Sequence, residues 1–77
     1  MYTIHQIIAR LFIRHNVGYN RVPIAIDTLI QFILAETGFK NSTKLFKSII
    51  KNTIYLSDKY IIIHREDGDM VIGNNIH

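Results

Sequence analysis

The spacing of the apolar residues changes once along this chain, and that change limits the fold more than any other feature. As far as Ile54 the apolar residues recur every three or four positions, which is the period of an amphipathic helix. Residues 60–63 are instead rich in β-branched side chains, and a second such run follows at residues 70–72. The pattern predicts an α+β fold in which a three-helix bundle is followed by a carboxy-terminal β-hairpin.

Local signals place the ends of the first helix. Thr3 and Gln6 form a capping-box pair, in which each side chain can bond the backbone N–H group of the other residue. The helix is expected to run to about Asn16 and to stop at Gly18. Its predicted buried face contains five residues at helical spacing: Ile4, Ile7, Ile8, Leu11 and His15.

The second helix should begin between Pro23 and Asp27, because proline suits a first helical turn and an acid suits the positive end of the helix dipole. Gly38 is placed to end this helix in a left-handed cap. Its predicted core face is broad and entirely aliphatic: Ile26, Leu29, Ile30, Ile33 and Leu34.

The third helix is expected to be capped by Asn41 or Ser42 and to continue to about Ile54. At about 100° per residue its lysines fall on one side, and these are Lys40, Lys44, Lys47 and Lys51. The predicted core face lies opposite, at Leu45, Phe46, Ile49 and Ile50. No acid lies between residues 37 and 57, whereas ordinary exposed faces mix lysine with glutamate. A phosphate-bearing partner would account for this pattern, and an ordinary solvated face is the alternative.

The hairpin turn is predicted at Asp67-Gly68, because both central positions of a type I′ turn need positive φ. This turn would pair Ile63 with Ile72 and Arg65 with Met70. The face expected to pack on the helices is Ile61, Ile63, Met70 and Ile72. The acids near the turn are Glu66, Asp67 and Asp69, which a DNA backbone would repel. They either keep the turn soluble or form a docking site for a basic protein.

A chain of 77 residues is expected to form a single domain, 1–77, because two cores could not be supported at this length. The sequence has no cysteine, no apolar targeting segment and no run long enough to span a membrane, so we expect a cytoplasmic protein. Apolar residues make up 48% of the chain and charged residues 19%. Part of this apolar surface, at Phe12 and Ile13, is a candidate dimer contact, with two scattered surface residues as the alternative.

Catalytic and metal-binding motifs are not evident. The four histidines lack the spacing that would preorganise metal ligands on one helix. The serines lack a nucleophile-elbow context, and there is no glycine-rich phosphate loop. We therefore expect neither an enzyme nor a metal or cofactor site.

Residues 36–60 combine a Gly-Phe turn with a lysine-bearing helix and a later tyrosine. The residues concerned are Gly38, Phe39, Thr43, Leu45, Lys47, Ile49, Lys51 and Tyr60. This segment resembles a helix-turn-helix unit, most closely the distal unit of AraC-type transcription regulators. The resemblance implies that the helix after the turn reads the major groove of DNA. The terminal hairpin looks more like the winged helix-turn-helix plan.

These observations predict a double-stranded DNA-binding protein, namely a small transcription regulator or accessory protein of a bacterium, virus or mobile element. The net charge of +3 permits such a partner. The candidate DNA-binding residues are Lys40, Asn41, Ser42, Lys44, Lys47, Ser48, Lys51 and Asn52. Arg10, Arg14 and Arg21 would extend the contact. The alternative is a small virus-encoded inhibitor that binds a protein partner through the acidic hairpin tip.

Overall fold

The computed structural model describes residues 3–19, 22–38 and 44–74. These residues form three helices, α1 (Ile4–His15), α2 (Ile26–Thr37) and α3 (Lys44–Leu56). They also form three strands, β1 (Ile24–Ala25), β2 (Tyr60–Ile63) and β3 (Met70–Gly73). The strands make one antiparallel sheet in the order β1-β3-β2. The α+β class is confirmed.

Helix α1 has the capping box that the sequence predicts, with Thr3 and Gln6 each bonding the other's backbone N–H group. The predicted stop at Gly18 is wrong, because Asn16 already adopts the left-handed conformation with φ of 52°. Asparagine tolerates this conformation better than most residues. Helix α2 begins at Ile26 and is capped by Gly38 with φ of 80°, and both predictions are confirmed. None of the described helices is long and apolar enough to cross a membrane.

Strand β1 was not predicted, because two residues are too few to show an alternating pattern. Ile24 pairs with Val71, and Ala25 pairs with Met70. The backbone N–H of Ile26 then donates to the Asp69 carbonyl at 3.0 Å, so the pairing extends into the first residue of α2. The start of α2 is thereby fixed to the hairpin.

The predicted hairpin register is wrong by two residues. Ile63 pairs with Met70 rather than with Ile72, and Tyr60 pairs with Gly73. The turn is closed by the Gly68 N–H, which donates to the Arg65 carbonyl at 3.1 Å. The central residues of the turn are therefore 66 and 67, and the glycine with positive φ follows them.

The face of the hairpin that packs on the helices is also the opposite of the predicted one. Val71 is fully buried, and Tyr60 and Ile62 pack against the core beside it. Ile61 is instead 44% exposed on the other face. Both faces of this hairpin are apolar, so alternation along the strands could not identify the inner one.

The core lies between the three helices and the inner face of the sheet. Among the described residues, those buried in it are twelve aliphatic and aromatic ones: Ile8, Leu11, Phe12, Ile24, Ile26, Leu29, Ile30, Ile33, Leu34, Ile50, Ile54 and Val71. The prediction that Phe12 lies on the surface is wrong. Its ring makes edge contacts with Tyr19 and Tyr60, and Gly18 lies directly against it. His15 of the predicted core face is exposed and stacks on Phe32.

Candidate nucleic-acid interface

Helix α3 presents three different faces, whereas its sequence pattern predicts two. Ile50 and Ile54 are buried, and Phe46 packs against the core beside them. The predicted core residues Leu45 and Ile49 are 71% and 50% exposed, so that part of the prediction is wrong. The helix also continues past Ile54 to Leu56. The difference arises because the buried face is narrower than the apolar half of the helix.

The lysines occupy the flank of α3 that faces α2. Lys44, Lys47 and Lys51 fall within about 60° of one another, and their centre lies about 90° from the buried face. Together with Ser48 they form one wall of an open groove of about 390 Å³. Side chains of α2 form the other wall, and these are Asp27, Ile30 and Gln31. The basic side of α3 is therefore a groove wall rather than a free convex ridge.

The structure describes some of the predicted DNA-binding residues and leaves others outside the described ranges. Lys44, Ser48, Lys51 and Asn52 are exposed on α3, and Lys47 is half-buried. Asn52 lies outside the groove, on the side of the helix away from α2. Lys40, Asn41 and Ser42, with the predicted caps of α3, fall outside the described residues. The structure thus brings together Lys44, Lys47, Ser48 and Lys51 in one surface.

Acids from other elements approach this surface, although α3 itself has none. Asp27 lies in the groove and belongs to the first turn of α2, where the helix dipole is positive. Lys51 also lines a second recess with Asp27, Tyr55 and Asp69. The lysine flank is free of acids along the sequence but not in the folded chain. The positive potential should therefore be stronger at Lys44 than at Lys51.

Asp69 is turned away from the hairpin tip and fixed to α3. The Tyr55 hydroxyl donates a hydrogen bond to one carboxylate oxygen, and His64 Nδ1 lies 2.9 Å from the other. The bond from Tyr55 lowers the pKa of the Asp69 carboxyl most, followed by the bond from His64 and the charge of Lys51. The same bond, with burial, raises the pKa of Tyr55 to about 12.

The acidic tip predicted from the sequence is consequently reduced to two residues. Glu66 and Asp67 are exposed at the turn, whereas Asp69 is held against the body of the protein. Sequence reasoning missed the role of Tyr55 because the contact joins residues 14 positions apart on different elements. The available signal was the hydroxyl of Tyr55 between two aliphatic residues, Ile54 and Leu56, because a partly buried hydroxyl needs a hydrogen-bond partner.

Arg14 of α1 does not extend the lysine surface, and the charge of Arg10 acts on the same acid, Glu36, whose pKa it helps to lower. Arg14 forms a two-pronged ion pair with Glu36 of α2, with N–O distances of 2.8 and 3.3 Å. Glu36 is nine residues from Asp27, which places it on about the opposite side of α2 from the groove. The pair raises the pKa of Arg14 and lowers that of Glu36. Arg14 therefore joins two helices on another face, and Arg21 falls outside the described residues.

Metal binding receives no support from side-chain clustering. In residues 3–19, 22–38 and 44–74, no group of three histidine or acidic side chains is close enough to hold an ion.

Comparison with protein-family models, with curated proteins and with solved structures gives no significant match to this chain.

Proposed function

We propose that this chain binds duplex DNA as a small helix-turn-helix protein, serving as a transcription regulator or accessory factor of a bacterium, virus or mobile element. The observation that carries the proposal is the flank of α3 with Lys44, Lys47 and Lys51 and no acid on the same helix. Three like charges at helical spacing repel one another, and phosphates along the flank would remove this cost.

The roles of the α3 residues follow from their chemistry. The lysines neutralise phosphates, which gives affinity that does not depend on base sequence. Ser48, in the groove wall, and Asn52, on the outer side of α3, are both exposed and supply groups that can bond base edges. The placement of β1 before α2, paired with the hairpin, is compatible with a winged helix-turn-helix plan.

The acids near Lys51 lead to unequal contributions from the three lysines. Asp69 and Asp27 lie beside Lys51 and neutralise part of its charge for an approaching phosphate. Lys44, the first residue of α3, lies about two turns away from Lys51 and its recess. We expect Lys44→Ala to weaken DNA binding more than Lys51→Ala.

The test is the salt dependence of binding to a mixed-sequence duplex. Replacement of Lys44, Lys47 and Lys51 by alanine should weaken binding and reduce the slope of log K against log salt by about 1 per lost contact. Lys59→Ala is the matched control, because Lys59 is an exposed lysine in the turn after α3. An unchanged slope in the triple variant would overturn the assignment. So would a loss of DNA affinity in Lys59→Ala as large as the loss per lysine in the triple variant.

A protein-binding function is the second candidate. It is favoured by Glu66 and Asp67, which are exposed at the hairpin tip and carry a charge opposite to that of the chain as a whole. A basic protein surface would suit this tip better than a phosphate backbone would. In this case the chain acts as a small inhibitor, and the lysine flank is an ordinary solvated face.

A further inference from the structure

The outer side of α3 carries an apolar stripe that the DNA-binding proposal does not use. Leu45, Ile49 and Leu56 are 71%, 50% and 87% exposed. With Asn52, which is also exposed, they fall within about 60° around the helix axis. These four residues are called the α3 seam below. Three large aliphatic side chains exposed in one line are more than the scattered surface residues of a typical monomer.

The spacing within the α3 seam is that of a coiled coil. Steps of four, three and four residues separate Leu45, Ile49, Asn52 and Leu56, which is the a/d pattern of a heptad repeat. Such a line is complementary to a second helix with the same spacing. Ile49 and Leu56 take the a positions, and Leu45 and Asn52 the d positions. A buried amide in such a seam costs stability unless another polar group bonds it.

The distribution of charge favours a second copy of this chain as the occupant. The positions that flank the seam are uncharged, and they are Phe46, Ser48, Thr53 and Tyr55. The lysines lie about 140° from the centre of the seam, on the flank that faces α2. Two copies of this basic chain can therefore meet along α3 without bringing their lysines together.

We propose that the α3 seam binds the α3 seam of a second copy in a parallel, in-register pair. In this arrangement the two-fold axis runs parallel to the two helices, so each seam residue faces its own counterpart. Asn52 then faces Asn52, so the two amides can bond each other. An antiparallel pair centred on the same residues would place Asn52 opposite Ile49 and leave the amide without a partner.

The size of the seam sets the strength of the association. From Leu45 to Leu56 the helix rises by about 17 Å, which is roughly a tenth of a coiled-coil pitch. One short helix pair buries less than the roughly 1,200 Å² typical of stable complexes. The dimer should be weak and concentration-dependent. In the dimer Asn52 lies in the interface. A major groove about 12 Å wide admits one helix and not a packed pair, so the base contacts proposed for α3 belong to the monomer.

The first experiment measures self-association of the full chain by sedimentation equilibrium without DNA, so its outcome is independent of the DNA-binding proposal. Leu56→Glu should raise the dimer dissociation constant by about tenfold or more, because it places two carboxylates in the seam. Ile13→Glu is the matched control, since Ile13 is a similarly exposed aliphatic residue, at 69%, on α1. Asn52→Leu should tighten the dimer.

A monomer at all concentrations, or loss of the dimer in Ile13→Glu but not in Leu56→Glu, would overturn the proposal. The second experiment uses the absence of cysteine from the chain. Asn52→Cys should form a disulfide-linked dimer under mild oxidation faster than Lys44→Cys, which carries its thiol on the lysine flank. Equal rates of disulfide formation in the two cysteine variants would contradict the in-register pair. This result does not depend on whether the glutamate variants fold.

Discussion

The Tyr55 hydroxyl of α3 donates a hydrogen bond to the Asp69 carboxylate at the base of the hairpin turn. The backbone carbonyl of Asp69 also accepts the N–H of Ile26 at the start of α2. One residue of the hairpin therefore joins both helices that form the lysine groove. Lys51 and Asp27, which line the groove, also line the recess at this junction.

The first prediction concerns pH. The pKa of Asp69 is lowered in the folded chain, so its contribution to stability is present above its ordinary pKa and is lost as the pH falls through the lowered value. The pKa of Tyr55 is raised to about 12, so its contribution is present below about 10 and is lost as the pH rises toward 12. The midpoint temperature of thermal unfolding should therefore fall at both the acid and the alkaline end of the pH range.

Tyr55→Phe should reduce the alkaline decline and leave the part due to Tyr60, since burial also raises the pKa of Tyr60 to about 12. It should also raise the pKa of Asp69 toward its ordinary value, as measured by NMR titration. The Glu36 carboxyl is the internal control, because Arg14 holds its pKa low on another face. An unchanged Asp69 titration in Tyr55→Phe would show that the bond is not formed in solution.

The second prediction compares two glycines with positive φ. A Cβ on Gly18 would lie 2.4 Å from Cδ2 of the buried Phe12 ring, whereas a Cβ on Gly38 would meet nothing within 4 Å. Gly38→Ala should cost only the left-handed strain, about 1–2 kcal/mol. Gly18→Ala adds displacement of the ring, about 1–3 kcal/mol more. Denaturant unfolding of both variants is the measurement, and equal losses would contradict the packing of Phe12.

The third prediction separates neighbouring residues of α1. Phe12 is buried and Ile13 is exposed, although the sequence pattern predicts that both lie on the surface. Phe12→Ala should reduce the free energy of unfolding by about 3–5 kcal/mol. Ile13→Ala should change it by about 0.5 kcal/mol or less. Similar losses for the two variants would mean that the face of α1 is assigned wrongly.

The fourth prediction tests the hairpin tip. Replacing Glu66 and Asp67 by their amides should tighten DNA binding, most clearly at low salt, because two negative charges are removed from the surface. Asp69 is left unchanged because it holds the hairpin to α3. Asp58→Asn is the control, because Asp58 is an exposed acid in the turn after α3. Lost activity in cells with no change in DNA affinity would favour the inhibitor function.

The sequence alone determined the class of the fold and most helix ends, because these depend on local chemistry. The capping box of Thr3 and Gln6, the Gly38 cap and the change to β-branched residues after Lys59 each act within a few positions. The lysine flank of α3 was likewise visible in the spacing of its residues.

Tertiary structure decided which apolar surfaces are buried. Leu45 and Ile49 have the same chemistry as Ile50 and Ile54, and only the position of α2 and the sheet selects between them. The inner face of the hairpin and the strand β1 depend on pairing with residues far along the chain. Asp69 was separated from the tip acids by Tyr55 for the same reason. Local patterns state which residues can be buried, and packing between elements decides which of them are.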